Sequence, residues 1–260
     1  MDAGTKPTTY LELHDSSRRV VAGEIVAEAP LSVHINGQEW VSLMCTPVGL
    51  EDLVLGFLLS EGVIESPADV RMMEVAHRGQ VADVWLRKPH VQLPDRRTVT
   101  SGCGGGVTFA DLAASREAIQ SGRCISVRQV FDLMDELNHA AVLYRRSQGI
   151  HTSALSDADR LLAVAEDVGR HNTLDKLRGR AARQGISTDD TILITTGRIS
   201  SEMLRKGADM GVPIIISRTS PTSLSLELAR AWGISLLGYV RGRRLRIYVG
   251  HERVIEDDAC

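Results

Sequence analysis

A chain of 260 residues, 43% of them hydrophobic, can bury a full core and suggests about two domains. A net charge of −3 and only 4% aromatics argue against a general nucleic-acid binder and against base-stacking platforms. No apolar run approaches the ~20 residues of a membrane span, no signal pattern opens the chain, and cysteines 45, 103, 124 and 260 show neither a disulfide framework nor zinc-ligand spacing. A reducing, cytoplasmic setting without structural metal, membrane or nucleic acid is expected.

In chain order, residues 1 to about 10 read as a frayed start. Val33-His34-Ile35 and Trp40-Val41-Ser42-Leu43 flank Asn36-Gly37, a hairpin signal because a type I′ turn wants positive φ at both central positions. Leu50, Leu53, Val54, Phe57 and Leu58 fall on one helical face, which Gly62 ends. A second hairpin follows, Val70 to Ala76 and Val81 to Leu86, turning at Arg78-Gly79. Pro89 and Pro94 then break order. The first half, residues 1–124, is expected to be an antiparallel, β-rich domain with one helix, ending in the segment around Cys103.

Cys103 has Gly102 before it and Gly104, Gly105 and Gly106 after it. Glycine weakens both helix and strand, and it lets another molecule approach the backbone. A sulfur there is better placed for chemistry than for packing. The bland alternative is a core cysteine beside a turn, since unpaired cysteine is often buried. Cys45 reads as core, Cys124 is ambiguous, and Cys260 ends the chain.

Residues 125–260 form the second expected domain. Ser126 and Gln129 make a capping box for a helix whose apolar stripe is Val127, Val130, Phe131, Met134 and Leu137. From there strands and helices alternate. Leu161 to Ala165 is a strand, and Asn172 caps a helix through Arg183. Thr191 to Thr195 is a strand, and Ser200 or Ser201 caps a helix through Met210. Val212 to Ser217 is a strand, followed by a helix from Pro221 at N1 to Trp232. Ile234 to Val240 and Leu245 to Val249 close the set. Apolar strands alternating with helices predict a mostly parallel sheet covered on both faces.

The strand-to-helix turns are rich in arginine: Gly169-Arg170-His171-Asn172, Gly197-Arg198-Ile199-Ser200-Ser201 and Ser217-Arg218-Thr219-Ser220-Pro221-Thr222. Tyr239-Val240-Arg241-Gly242-Arg243-Arg244 adds a fourth basic stretch. In an open α/β sheet such turns share the rim where ligands bind, and arginine forks suit phosphate oxygens. A polyanionic small molecule is the expected ligand. The alternative is ordinary capping residues beside solvated arginines. No turn matches the phosphate-binding loop of ATPases or the dinucleotide fingerprint. His171 is a candidate acid, base or ligand contact, with a capping-region histidine as its alternative. Asp175 and Lys176 read as helix-surface charges, and Glu166 with Asp167 is a weak carboxylate pair.

Several of these blocks together resemble one family. Thr100-Ser101-Gly102-Cys103-Gly104, Gly169-Arg170-His171-Asn172-Thr173-Leu174-Asp175-Lys176, and Thr196-Gly197-Arg198-Ile199-Ser200-Ser201-Glu202-Met203 are similar to the formate dehydrogenase accessory sulfurtransferases, FdhD. Gly56 to Gly62, Ser220 to Leu224 and Tyr239 to Arg243 also fit, so the likeness runs from about residue 20 to 250. The resemblance implies a C-terminal cytidine-deaminase-like α/β/α layer, a homodimer, and a persulfide carrier. Such a carrier takes sulfur from a cysteine desulfurase and passes it to the molybdenum or tungsten bis-molybdopterin guanine dinucleotide cofactor of a formate dehydrogenase. It places the persulfide on Cys103 and the cofactor on Tyr239, Val240, Arg241, Gly242, Arg243 and Arg244. The rim reading adds Gly169, Arg170, His171, Gly197, Arg198 and Ser217. Gly106 stands where many members have a second cysteine. Cys103 then works alone, or with Cys124 or Cys260, or the chain holds the cofactor as a chaperone without sulfur transfer. A cysteine-dependent hydrolase pairing Cys103 with His171 is a further alternative. No His-x-Glu or Pro-Cys-x-x-Cys accompanies the deaminase-like fold, so zinc chemistry is not expected.

Overall fold

The computed structural model describes residues 4–76, 80–88, 98–99, 107–108 and 116–256, with backbone only for 98–99 and 107–108. Strands β1 (Thr5–His14) and β2 (Ser17–Val26) form an antiparallel ribbon, so the stretch to about residue 10 that had read as a frayed start is mostly strand. Its register is held by contacts a propensity reading does not see. Gly23 leaves room for the Tyr10 ring, since a Cβ there would lie 2.7 Å from Tyr10 Cε1. At its foot Thr5 Oγ1 donates to Glu24 (2.7 Å), and Arg146 donates to the same carboxylate (2.7 Å).

Next come β3 (Ala29–Ile35), β4 (Gln38–Cys45), α1 (Leu50–Ser60), a 3-10 turn over Pro67–Asp69, β5 (Val70–Ala76) and β6 (Val81–Leu86). Asn36 (φ 51°) and Gly37 (φ 84°) make the expected β3–β4 turn. The sheet order is β4-β3-β6-β5, with only β3 and β6 parallel. Leu31, Val33 and Val84 of this sheet pack in one core with Leu53, Phe57 and Leu58 of α1. The proposed turn at Arg78-Gly79 lies outside the described residues. Beyond it, β7 (Thr98–Val99) pairs antiparallel with β8 (Val107–Thr108).

The remaining elements are β9 (Ile125–Ser126), α2 (Val127–Ala140), α3 (Val142–Ser147), β10 (His151–Ser156), β11 (Leu161–Asp167), α4 (Arg170–Gln184), β12 (Ile192–Thr195), α5 (Ser201–Asp209), β13 (Ile214–Ser217), α6 (Ser223–Trp232), β14 (Ser235–Arg241), β15 (Arg244–Val249) and β16 (Val254–Ile255). The large sheet runs β11-β10-β12-β13-β14-β15. Its centre, β12-β13-β14, is parallel; the hairpin partners at the two edges run antiparallel. Strand β10 was not evident in the sequence, and it is what turns β11 into an antiparallel edge. Helix α2 covers one face, packing Val130, Phe131 and Leu137 on Ile194, Ile216 and Leu237. Helices α4, α5 and α6 cover the other, packing Leu177, Leu204 and Trp232 on Leu193, Ile215 and Leu236.

Helix starts are set by the caps. Ser126 and Gln129 form the expected capping box on α2, and Ser200 caps α5. Helix α4 starts earlier than expected, with Gly169 at its N-cap, because Asn172 turns inward to donate to Asp167 Oδ1 and Met44 O (both 2.8 Å). Helix α6 starts later, with Thr222 rather than Pro221 opening it, since Thr222 Oγ1 takes the Ser225 amide. Helices α1 and α4 cross backbone to backbone. A Cβ on Gly56 would lie 1.7 Å from Asp175 O, and one on Gly179 would lie 1.9 Å from Asp52 O.

Candidate functional site

Because β12, β13 and β14 run parallel, their carboxyl ends share one edge of the sheet. Antiparallel β10 and β11 bring the start of one and the end of the other to that edge, where His151 lies across from Asp167. Backbone bonds knit the edge together. Thr196 N donates to Thr152 O (2.9 Å), Arg218 N to Thr195 O (3.0 Å), and Tyr239 N to Thr219 O (2.9 Å).

An open cleft of about 340 Å³ lies here. Its walls include Tyr144, His151, Thr196, Arg218, Thr219 and Arg241, and among the described residues no carboxylate lines it. Arg241 Nε donates to Arg218 O (3.0 Å), which holds the two arginines together. The Arg218 guanidinium stands 5.9 Å from the Tyr144 ring centroid, and the Arg241 guanidinium 5.6 Å from that of Tyr239. Tyr239 adopts φ 55° where the β14–β15 register shifts, a conformation that costs a non-glycine residue about 1–2 kcal/mol. Its ring also stacks with Arg246 at 4.1 Å. Burial, then Arg170, with a further push from Arg198, holds His151 below the usual histidine range against the pull of Asp167.

The structure brings some of the expected residues to this cleft and puts others elsewhere. Arg241 lines it. Arg198 is exposed on the rim and Arg170 is buried at the start of α4. Gly197 lets Arg170 pass, since a Cβ would lie 2.9 Å from that of Arg170. Gly169 N donates to Asp167 Oδ1 (2.8 Å). Ser217 is buried and staples two turns: its Oγ donates to Gly197 O (2.7 Å) and accepts from Thr219 N (2.9 Å). Val240 belongs to the core on the α2 side. Gly242 (φ 57°) makes the β14–β15 turn. Arg243 reaches Phe131 (5.6 Å to the ring) and Asp132 (3.8 Å) on α2, and Arg244 is exposed. Cys103 and Cys260 lie outside the described residues; β7 and β8 flank the segment that carries Cys103.

His171 is 5% exposed. Its Nε2 meets Glu202 Oε2 at 3.2 Å and Ser200 Oγ at 3.3 Å. Burial above all, then Lys206 and Arg170, pushes this imidazole down to about 2, while burial raises the Glu202 carboxyl. The ring is therefore neutral where it faces the Glu202 carboxyl. One nitrogen meets both partners, so this is not a serine–histidine–acid relay, which uses both ring nitrogens.

Asp175 and Lys176, expected on the surface, are buried. Lys176 Nζ meets Asp167 (2.6 Å) and donates to Thr46 O and Glu166 O (both 3.1 Å). Lys206 meets Asp175 at 2.5 Å. These bonds fasten α4 to the end of β4 and to α5. Much of the Gly169–Lys176 block therefore holds the rim in place. Sequence reasoning missed His151 and Tyr144 as site residues. Arg218 and Thr219 were legible in their turn but were not carried into the site.

The sequence model of the FdhD/NarQ family matches residues 26–255. The chain belongs to this family. Curated relatives include the sulfur carrier protein FdhD of Listeria monocytogenes serovar 1/2a, 36% identical and covering 93% of this chain and 98% of the relative. The proteins of that name from Bacillus pumilus and Bacillus subtilis are 38% and 35% identical, covering 90% and 91% of this chain and 91% and 92% of themselves. Among solved structures, a protein from Desulfotalea psychrophila assigned as a formate dehydrogenase accessory protein matches with a TM-score of 0.79 at 27% identity. That match covers 97% of this chain and all of the other. FdhD membership accounts for the shared blocks, and the mixed α/β architecture is the one seen in that neighbour. No helix among the described residues is long and apolar enough to cross a membrane.

Proposed function

We propose that this chain is a sulfur carrier that loads persulfide on Cys103 and delivers the sulfur to a phosphate-bearing pterin cofactor docked in the rim cleft. The observation that carries the docking half is the cleft itself: Arg218, Arg241, His151, Thr196 and Thr219 line one space that no described carboxylate lines. Guanidinium forks and hydroxyls suit phosphate oxygens. The carrier half rests on the relatives that are sulfur carrier proteins and on the lone thiol set among glycines. A formate dehydrogenase is the client, in keeping with the naming of the Desulfotalea protein. The guanine-dinucleotide cofactor of molybdenum or tungsten is the cargo, and a cytoplasmic cysteine desulfurase is the donor.

In the first step the Cys103 thiolate attacks the outer sulfur of the donor persulfide. A new S–S bond forms on Cys103 while the donor's breaks, and the donor cysteine leaves as thiolate. In the second, the terminal sulfur leaves Cys103, which returns to thiolate; the two electrons that make it sulfide come from the cargo's reduced metal. Arg218 and Arg241 orient the cargo through its phosphates and take no part in the sulfur exchange.

Incubation with a cysteine desulfurase and cysteine should add the mass of one sulfur to the wild-type chain and none to Cys103→Ser. The serine variant should still bind guanosine diphosphate yet fail to mature a formate dehydrogenase. Maturation by Cys103→Ser at the wild-type level would refute the carrier role and leave the cofactor-holding chaperone as the better reading.

A further inference from the structure

The wall of the cleft contains a histidine, and the groups around it come from six elements. Arg170 (α4), Arg198 (the β12–α5 turn), Arg218 (the β13–α6 turn) and Arg241 (β14) are the cations around it, with Tyr144 on α3 and His171 also on α4. Asp167, across the β10–β11 pairing, is the opposing charge that pulls on the ring, while Glu166 beside it is taken up by the amides of Leu143 and Tyr144 (both 2.9 Å). The Asp167 carboxylate is already engaged by Lys176 and by the amides of Thr46 (3.0 Å) and Gly169 (2.8 Å). An imidazolium at residue 151 thus has several cations near it and a counter-ion that is shared.

We propose that His151 is the charge-adjusting contact of the cleft: it accepts a proton from solvent when a doubly charged oxyanion docks beside Arg218 and Arg241, so that anion capture and proton uptake are one event. This rests on the cationic-cleft reading above and adds the ionisation that regulates it. A docked dianion reverses the local field and supplies an acceptor for a second ring N–H. The partly buried setting strengthens that interaction relative to water. The direction of the His151 shift, set by burial and Arg170, agrees with a ring that is neutral at neutral pH before the anion arrives. The linkage follows: whatever factor the anion gains by meeting imidazolium rather than imidazole, the proton gains in return.

Sulfate is a suitable probe, because it stays fully ionised across the histidine range and carries no proton of its own. Wild-type protein should bind sulfate at least ~10-fold more tightly at about pH 5.5 than at about pH 8, since each unit by which the anion raises the histidine is a factor of ten. His151→Gln should bind sulfate with nearly the same affinity at both values. Arg218→Ala/Arg241→Ala should bind it much more weakly at both. A measurement on the wild type alone gives a second reading: one histidine ring, followed by nitrogen NMR, should titrate higher in saturating sulfate than without it. Sulfate bound equally well at both pH values, with no histidine moved, overturns the role of His151 and leaves the cleft standing. Sulfate bound as well by the double arginine variant as by the wild type overturns the cleft, and His151 with it.

Discussion

Replacing Gly56 by alanine tests the joint between α1 and α4. The added Cβ would stand 1.7 Å from Asp175 O and 2.8 Å from Gly179 N, where real Cβ atoms do not come closer than 3.0 Å. Both obstacles are backbone, so no side-chain rotation clears them and the helices must part by roughly the 1.3 Å between 1.7 and 3.0 Å. Parting them strains the bonds from Arg180 (3.0 Å) and Arg183 (2.8 Å) to Asp52, and moves Lys206 from its place 5.6 Å over the Phe57 ring. Overpacking of this kind costs about 1–3 kcal/mol, and the upper end applies to a rigid obstacle. The better helix propensity of alanine offsets about 1 kcal/mol. A net loss of about 2 kcal/mol corresponds to a fall in Tm of about 4–8 °C for a chain of this size. Circular dichroism melts of wild type, Gly56→Ala, Gly179→Ala and the double variant measure it. The double variant should lose less than the sum of the singles, because one separation of the helices relieves both clashes. A Tm for Gly56→Ala equal to or above that of wild type would show that the close crossing is not a constraint.

Glu202→Gln should expose an acid sensitivity of His171. Burial holds the folded imidazole near 2, below its ordinary 6.5, so the unfolded chain binds the extra proton and this residue's share of stability falls as pH drops below 6.5. The buried Glu202 carboxyl is raised above its ordinary 4.5, so its share falls as pH rises through its folded value. The two slopes oppose each other in the wild type. Glutamine leaves the first alone, approaching about 1.4 kcal/mol per pH unit below pH 6.5. Urea unfolding at several pH values from neutral down to about 5 reads the difference, and identical pH slopes for the two proteins would count against it. Burial, aided by Asp167, pushes the Cys45 thiol up to about 12, so iodoacetamide should label it only in denaturant, whereas exposed Cys124 labels in the native protein. Native labelling at Cys45 would mean that the end of β4 opens readily.

The elements with strong local signals were legible in the sequence. The β3–β4 turn has Asn-Gly, the β5 and β6 strands have their alternation, and α2 has Ser126 and Gln129. The central strands β12 and β13 are short apolar runs between helices and were read as parallel for that reason. What stayed hidden depends on distant partners. The β1–β2 ribbon leaves Leu13 and Val20 exposed, so it shows no buried stripe to read. Strand β10 (His-Thr-Ser-Ala-Leu-Ser) has one large apolar residue, Leu155, and its burial comes from β11 and β12 on either side. Missing β10 hid His151, since nothing local says that its first residue meets the arginine rim. Asp175 and Lys176 look like surface charges on helical periodicity alone; their ion pairs reach Lys206 and Asp167.

The β7–β8 pair fixes a length scale for the chemistry. Cys103 lies four residues from Val99 and four from Val107, and those two residues face each other across the pair. A fully stretched chain advances at most about 3.6 Å per residue, so the Cα of Cys103 cannot travel farther than about 14 Å from that anchor, and its sulfur only a side chain's length more. The cysteine is on a short leash. Donor and cargo must each come inside that radius, and any longer journey requires the anchor itself to move.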